Sequence, residues 1–239
     1  MAVENTGSAR PYIILKPNRL SHQAEESFKT LRTNIEFSGV GVQCICLTSA
    51  MPGDGKSTVS YNLARVFAES GHSTLFIDAD LRKSKIRKRY GREGNAGSGL
   101  SDYLIGRKSY EETVAVTNVD NLSVIVSGHF PPNPSELLGS NRFKQLIERA
   151  RQEFSVIIID TPPIGSVIDA AIVTRSCDGV VLVLKEGQIS YRFAQNCKEQ
   201  LEAAQKPVLG CVLNGVDMSK HGYYGKYYGH YYGSYYGKE

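Results

Sequence analysis

The 239-residue sequence predicts an α/β domain built on a mostly parallel sheet with helices on both faces. Three observations predict it. Runs such as Ser155–Ile159 and Gly179–Leu184 are almost continuously apolar, as strands buried on both faces must be. Between such runs lie segments whose apolar residues recur at helical spacing. A hydrophobic content of 41% and a charged content of 22% are ordinary for a soluble globular protein, and the length suits one sizeable core.

In chain order, residues 1–20 are mixed in character and carry two prolines, so they read as a loosely ordered leader. Ser21 to Phe37 places Ala24, Phe28, Leu31 and Ile35 on one helical face, with Ser21 as N-cap. Cys44–Ser49 is a short apolar strand that runs into the turn Met51-Pro52-Gly53-Asp54-Gly55. Ser57–Ser70 is helical, and Gly71 is placed to stop it. Strands follow at Thr74–Ile77, Leu122–Val126, Ser155–Ile159, Gly179–Leu184 and Val208–Leu213. Helices fall at Ser140–Glu153, Val167–Ser176 and Tyr191–Gln205. The expected organisation is a leader (1–20), one domain (21–218) and a tail (219–239).

The tail repeats Tyr-Tyr-Gly-x from Tyr223 to Gly237 and has no aliphatic residue after Met218. It buries too little to offset the entropy of ordering, so disorder is its default, with self-association as the alternative use of such a repeat. The five cysteines are odd in number and lack CxxC spacing, which fits a reduced compartment. No secretory signal is seen, and no apolar run reaches the roughly 20 residues that span a bilayer. A cytoplasmic protein is expected, with any membrane role supplied by a partner. Net charge is +4, and basic residues cluster from Arg82 to Arg89. The plainer reading of that cluster, a solvated helix end or a patch facing an acidic partner, is preferred, and no nucleic-acid partner is expected.

Chemistry concentrates at three strand ends. Ala50-Met51-Pro52-Gly53-Asp54-Gly55-Lys56-Ser57 follows a strand and opens a helix, as a phosphate-binding loop requires: backbone N–H groups wrap phosphate and the helix dipole favours it. Lys56 is placed for the β- and γ-phosphates of ATP and the Ser57 hydroxyl for Mg²⁺, with Pro52, Gly53, Asp54, Gly55 and Thr58 completing the nucleotide contacts. Ser155–Asp160 is an apolar strand ending in a carboxylate, the Walker B pattern for holding Mg²⁺. Leu75–Asp80 is a second such strand, and Asp78 and Asp80, two residues apart, face one side of an extended segment. Three carboxylates opposite a phosphate loop are better explained by metal and proton transfer than by three separate helix caps.

These motifs together resemble the bacterial tyrosine kinases, cytoplasmic P-loop kinases of the Gram-positive type that work with capsule and exopolysaccharide export and lie within a MinD/ParA-like superfamily. Ser49–Ser57 matches Walker A, Leu75–Arg82 the second "A-prime" motif and Val156–Pro163 Walker B; Pro131–Leu138 and the tyrosine-rich end match as well. The resemblance runs from about Leu20 to the C-terminus. It implies a protein-tyrosine kinase using ATP and Mg²⁺, with Asp80 and Asp160 completing the metal shell and Asp78 as base for a tyrosine hydroxyl. It implies autophosphorylation in trans at Tyr223, Tyr224, Tyr227, Tyr228, Tyr231, Tyr232, Tyr235 and Tyr236. It implies a ring-like homo-oligomer through Glu26, Lys29 and Arg32, where lysine stands for the family's first arginine and loses the bidentate fork; surface pairs within one helix explain the same residues. Implied partners are a membrane-anchored activator of polysaccharide export, protein tyrosine substrates and a cognate tyrosine phosphatase, which places the chain at the inner face of the membrane. Asn214 resembles an adenine-recognising asparagine of related P-loop proteins, and equally suits a turn before Gly215. Ser84 stands where the family often has proline.

A different function class, a MinD/ParA-like switch ATPase with the tail as an anchor, is disfavoured because Met51 occupies the place of that branch's signature lysine. A non-enzymatic nucleotide-sensing adaptor has no need of Lys56, Asp78, Asp80 and Asp160 together.

Overall fold

The computed structural model describes residues 10–16, 20–39, 41–84, 86, 91–94 and 98–217. Among these residues nine strands form one sheet: β1 (Tyr12–Leu15), β2 (Cys44–Ser49), β3 (Thr74–Asp78), β4 (Gly91–Gly94), β5 (Ala115–Thr117), β6 (Leu122–Ile125), β7 (Val156–Asp160), β8 (Gly179–Lys185) and β9 (Val208–Asn214). Their spatial order is β4-β1-β5-β6-β3-β7-β2-β8-β9. From β6 to β9 every neighbouring pair is parallel, and antiparallel pairing is confined to β1/β4 and β5/β6.

Apolar runs without alternation form this core because both faces are covered. Along β7, Val156 and Ile158 join one cluster of buried residues while Ile157 and Ile159 join the other. The first cluster is completed by α2 (Lys56–Glu69), through Val59, Leu63 and Phe67, and by Ile35 of α1 (His22–Glu36). The second is completed by α6 (Asn141–Glu153), α7 (Asp169–Thr174) and α8 (Tyr191–Glu202), through Phe143, Leu146, Val173 and Leu201. Short helices α3 (Leu100–Leu104), α4 (Tyr110–Thr113) and α5 (Pro134–Leu138) occupy the long connections. Ser21 caps α1 as the sequence predicts, its hydroxyl accepting from the amide of Ala24, and the hydroxyls of Ser140 and Ser190 cap α6 and α8 in the same way, accepting from the amides of Phe143 and Phe193.

Three expectations change. Tyr12–Leu15, within the expected leader, is β1, which buries Ile13 and Leu15 and pairs with β4 and β5. The helix expected from Val167 to Ser176 is reduced to Asp169–Thr174, because the preceding residues turn to bring the chain back from the end of β7. The strands β4 and β5 and helices α3, α4 and α5, at three to five residues each, lie in connections that carried no predicted element. The tail tyrosines from Tyr223 to Tyr236, the tail boundary and the basic residues Lys85 and Arg87 to Arg89 lie outside the described residues. Among the described residues, no helix is long and apolar enough to cross a membrane.

Candidate active site

The order β3-β7-β2 sets three strands side by side at the middle of the sheet, so the loops leaving their C-terminal ends converge. This is where parallel α/β sheets hold ligands. Register completes the alignment: Asp78, the last residue of β3, lies opposite Asp160, the last of β7, and Leu47 of β2 is also level with Asp160.

The loop after β2 holds its own shape. The backbone N–H of Met51 donates to Asp54 Oδ2 at 2.8 Å, and Gly53 and Gly55 take left-handed φ values of +96° and +90°. Gly55 is the N-cap of α2 and offers no side chain to its first amides, which leaves them for an anion at the positive end of the helix. A Cβ at Gly55 would lie 2.0 Å from Asn214 Nδ2, so a larger residue has no room. Asn214, at the end of β9, donates from Nδ2 to the Asp54 carbonyl at 2.8 Å and braces the loop from behind.

Lys56 is buried and turned inward. Its Nζ donates to Asp160 Oδ1 at 2.9 Å and to Ser57 Oγ at 3.1 Å, and lies 3.9 Å from Asp80 Oδ2. Asp78 and Asp160 have no exposed surface, and Asp80 is 9% exposed. One lysine is therefore paired with two carboxylates, Asp160 and Asp80, and a third, Asp78, lies beside them. Burial, first, and the nearby Asp160 push Asp78 up to about 7, against the pull of the Ser84 hydroxyl and Lys56; Asp80 adds to the rise. Asp78 Oδ1 accepts from the Asp80 amide at 3.3 Å, and Oδ2 accepts from Ser84 Oγ. Asp80 Oδ1 accepts from the amides of Arg82 and Lys83 at 3.2 and 2.9 Å, which turns Oδ2 toward Lys56. Asp160 Oδ2 is buried without a hydrogen-bond partner among the described residues.

These features fit Mg²⁺ and a nucleotide. Two oxygens of adjacent acids, Asp80 Oδ2 and Asp160 Oδ2, accept no hydrogen bond from the protein among the described residues, and an uncapped helix start lies beside them. Among the described residues, no group of three or more His, Cys, Asp or Glu side chains is placed to hold a metal alone. An ion here takes oxygens from phosphate and water as well, which is how Mg²⁺ is usually held.

The structure thus brings Lys56, Ser57, Asp78, Asp80, Asp160 and Asn214 together, around a loop whose Pro52 and Gly53 are exposed. Met51 is also exposed, at 42%. Glu26, Lys29 and Arg32 stand apart on α1: Glu26 pairs with Lys29 at 2.7 Å and Arg32 with Glu36 at 3.5 Å. Two hydroxyls escape sequence reasoning. Ser60, one turn after Lys56, donates to Asp160 Oδ1 at 2.8 Å, and Ser84 holds Asp78. The helical spacing of Lys56 and Ser60 was a signal for the first; the second was marked only by the proline it replaces.

A family model described as an AAA domain matches residues 42–208. The tyrosine-protein kinase CpsD of Streptococcus pneumoniae is 44% identical over 205 residues, spanning 85% of this chain and 90% of that protein. The tyrosine-protein kinase YwqD of Bacillus subtilis is 40% identical over 227 residues, spanning 93% and 95%. Among solved structures, the kinase domain of the Escherichia coli tyrosine kinase ETK superposes with a TM-score of 0.76 at 36% identity, covering 81% of this chain and 76% of that one.

Proposed function

The chain belongs to the AAA-domain family and, within it, to the bacterial tyrosine kinases, and on that premise we propose that it transfers the γ-phosphoryl group of ATP to tyrosines of its own C-terminal cluster, in trans. The observation that carries this reading is the alignment of Lys56, Asp78, Asp80 and Asp160 at three adjacent strand ends beside an uncapped helix start.

In this mechanism Lys56 leaves Asp160 and moves to the phosphates, joined by the first amides of α2. Asp160, Asp80 and the Ser57 hydroxyl would hold Mg²⁺. Mg²⁺, when bound, neutralises phosphate charge and orients the transferred group. Asp78 accepts the proton of the attacking tyrosine hydroxyl as Oη forms its bond to phosphorus and the bond to the β-phosphate oxygen breaks. Its raised pKa suits a base working near neutral pH. The Ser84 hydroxyl must turn away for the tyrosine hydroxyl to take its place on Asp78 Oδ2. Asn214 holds the loop in shape, and we assign it the reading of adenine.

The tail's eight tyrosines, flanked by glycine, offer unhindered acceptors. Each phosphate adds roughly −1.5 to −2 charge at pH 7, so a few reverse a tail whose charged residues are Lys220, Lys226, Lys238 and Glu239. We assign the chain a role in regulating capsular or exopolysaccharide synthesis and export, at the inner face of the membrane through an anchored activator. Repulsion among modified tails then separates subunits that Glu26, Lys29 and Arg32 hold in a ring, and a cognate phosphatase resets the cycle.

The test is incubation of purified full-length protein with Mg²⁺-ATP, adding the activator's cytoplasmic segment where needed, followed by intact mass and phosphotyrosine mapping beside Lys56→Met. Phosphate accumulating in steps on Tyr223–Tyr236, and absent from the variant, is the expected result. ATP hydrolysis with the tail unmodified overturns it in favour of a switch ATPase.

A further inference from the structure

Pro131–Leu138 stands out in the sequence yet contributes nothing to the phosphate site directly. It is nevertheless tied to it. Ser135, on α5, donates from Oγ to Asp169 Oδ1 at 2.7 Å and accepts from Arg82 Nη2 at 2.9 Å. Arg82 grips the same carboxylate with both ends of its guanidinium, Nε to Oδ2 at 2.7 Å and Nη2 to Oδ1 at 3.0 Å. Asp169 is fully buried, so its charge is tolerated only because this fork and hydroxyl surround it.

The three residues belong to three segments. Arg82 lies 87 positions from Asp169 and 53 from Ser135. Two of the segments lead directly from the site. Arg82 follows Asp80, and its own amide, with that of Lys83, occupies Asp80 Oδ1 and aims Oδ2 inward. Asp169 opens α7, the first helix after Asp160 and the end of β7. The guanidinium therefore fixes the loop that carries Asp80 against the segment that follows Asp160, and Ser135 fixes the guanidinium in its plane.

We propose that Ser135, Arg82 and Asp169 form a positioning clamp that holds Asp80 in the orientation that lets it share a divalent cation with Asp160 in the nucleotide complex. The inference rests on the reading of Asp80 and Asp160 as the metal-facing pair and gives the Pro131–Leu138 segment its task. Groups one step removed from a metal commonly change its affinity by about 10–100-fold when lost. Loss of one neutral hydroxyl, with the fork retained, belongs at the lower end of that range.

The measurement is calorimetric affinity of the full-length chain for a non-hydrolysable ATP analogue, with Mg²⁺ and in EDTA, alongside the melting temperature of the nucleotide-free protein. Ser135→Ala is expected to reduce the Mg²⁺-dependent gain in affinity about tenfold, leave the EDTA value unchanged and recover with Ser135→Thr. Arg82→Lys, which keeps the charge beside Asp169 without the fork, is expected to reduce the gain further. Asp80→Asn is expected to reduce it at least as much as either. A Ser135→Ala protein with the full gain, or one weakened equally in EDTA, overturns the clamp and leaves the contact as packing. Should Asp80→Asn keep the full gain, the metal reading itself fails and takes the clamp with it. Loss in Asp80→Asn with none in Ser135→Ala and Arg82→Lys sinks the clamp alone.

Discussion

Strand β2 carries a carboxylate cluster beyond each of its ends, and the two are built to opposite rules. At its N-terminal end Asp178 is saturated: Arg151 donates to Oδ1 at 2.7 Å and to Oδ2 at 2.9 Å, and the amides of Gln43 and Cys44 add bonds of 2.9 and 2.7 Å. Burial alone would raise its pKa, but the Arg151 fork and the two amides outweigh it and hold Asp178 below the usual range. At the C-terminal end, Lys56 serves Asp80 and Asp160, Asp160 Oδ2 has no partner among the described residues, and Asp78 is driven up to about 7. Half-buried Asp178 ties α6 to the base of the sheet. Fully buried Asp78 and Asp160 at the other end are left short of positive charge, which in the proposed mechanism a metal and the movement of Lys56 to phosphate would rearrange. Stability and chemistry are thus separated along one strand.

The largest expected effect strikes the under-neutralised end. Asp78→Asn should lower phosphoryl transfer by about 10²–10⁴, read from initial rates with Mg²⁺-ATP. The same change should stabilise the nucleotide-free, metal-free protein. The folded state keeps Asp78 protonated up to about 7, whereas the unfolded chain releases that proton near 3.8. Stability therefore falls as pH rises between those values, and the cost is fully present above 7. Melting curves at pH 5 and pH 8 should show the variant's advantage growing with pH; a variant less stable at pH 8 would break the contrast between the two ends.

Next comes the saturated end. Arg151→Ala should cost about 1–2 kcal/mol in denaturant unfolding, discounted for partial exposure, with kcat per folded molecule unchanged. A fall in kcat at constant stability would mean that the ends are not separate. A smaller effect is expected for Ser60→Ala. Removing a hydroxyl from Asp160 should change the affinity for the ATP analogue with Mg²⁺ by only a few-fold, because one neutral hydrogen bond is lost from a carboxylate that would still face the metal. The smallest belongs to α1. Lys29→Arg should leave the melting temperature unmoved, since Glu26 and Lys29 are exposed, yet strengthen self-association in sedimentation runs if the fork is used between subunits.

Much of this was legible in the sequence, for a physical reason. Cys44–Leu47, Leu75–Ile77 and Val156–Ile159 are apolar throughout because both faces are covered, and the carboxylates that end β3 and β7 break the last two runs conspicuously. Lys56 and Ser57 follow from the glycines that a phosphate loop needs. What escaped was either short or distant. Four residues of β1 are too few to show a period, and its partners β4 and β5 lie far along the chain. Ser84 was legible only as a missing proline, whereas its hydroxyl reaches back to Asp78. Arg82, Ser135 and Asp169 are unremarkable in their own neighbourhoods; only the fold makes them one group.

The position of β2 between β7 and β8 also dictates when the site can exist. During synthesis the phosphate loop leaves the ribosome early, but both strands that flank β2 follow more than a hundred residues later, as the bond between Ile164 and Thr48, 116 positions apart, illustrates. Until then β2 offers two unpaired edges, and Asp160, the carboxylate bonded to Lys56, has not been made. Contacts of such sequence separation form slowly and expose sticky intermediates. A nascent or truncated chain that ends before β8 therefore carries the nucleotide motif without the ability to use it, and catalytic competence arrives only when nearly the whole domain has been made.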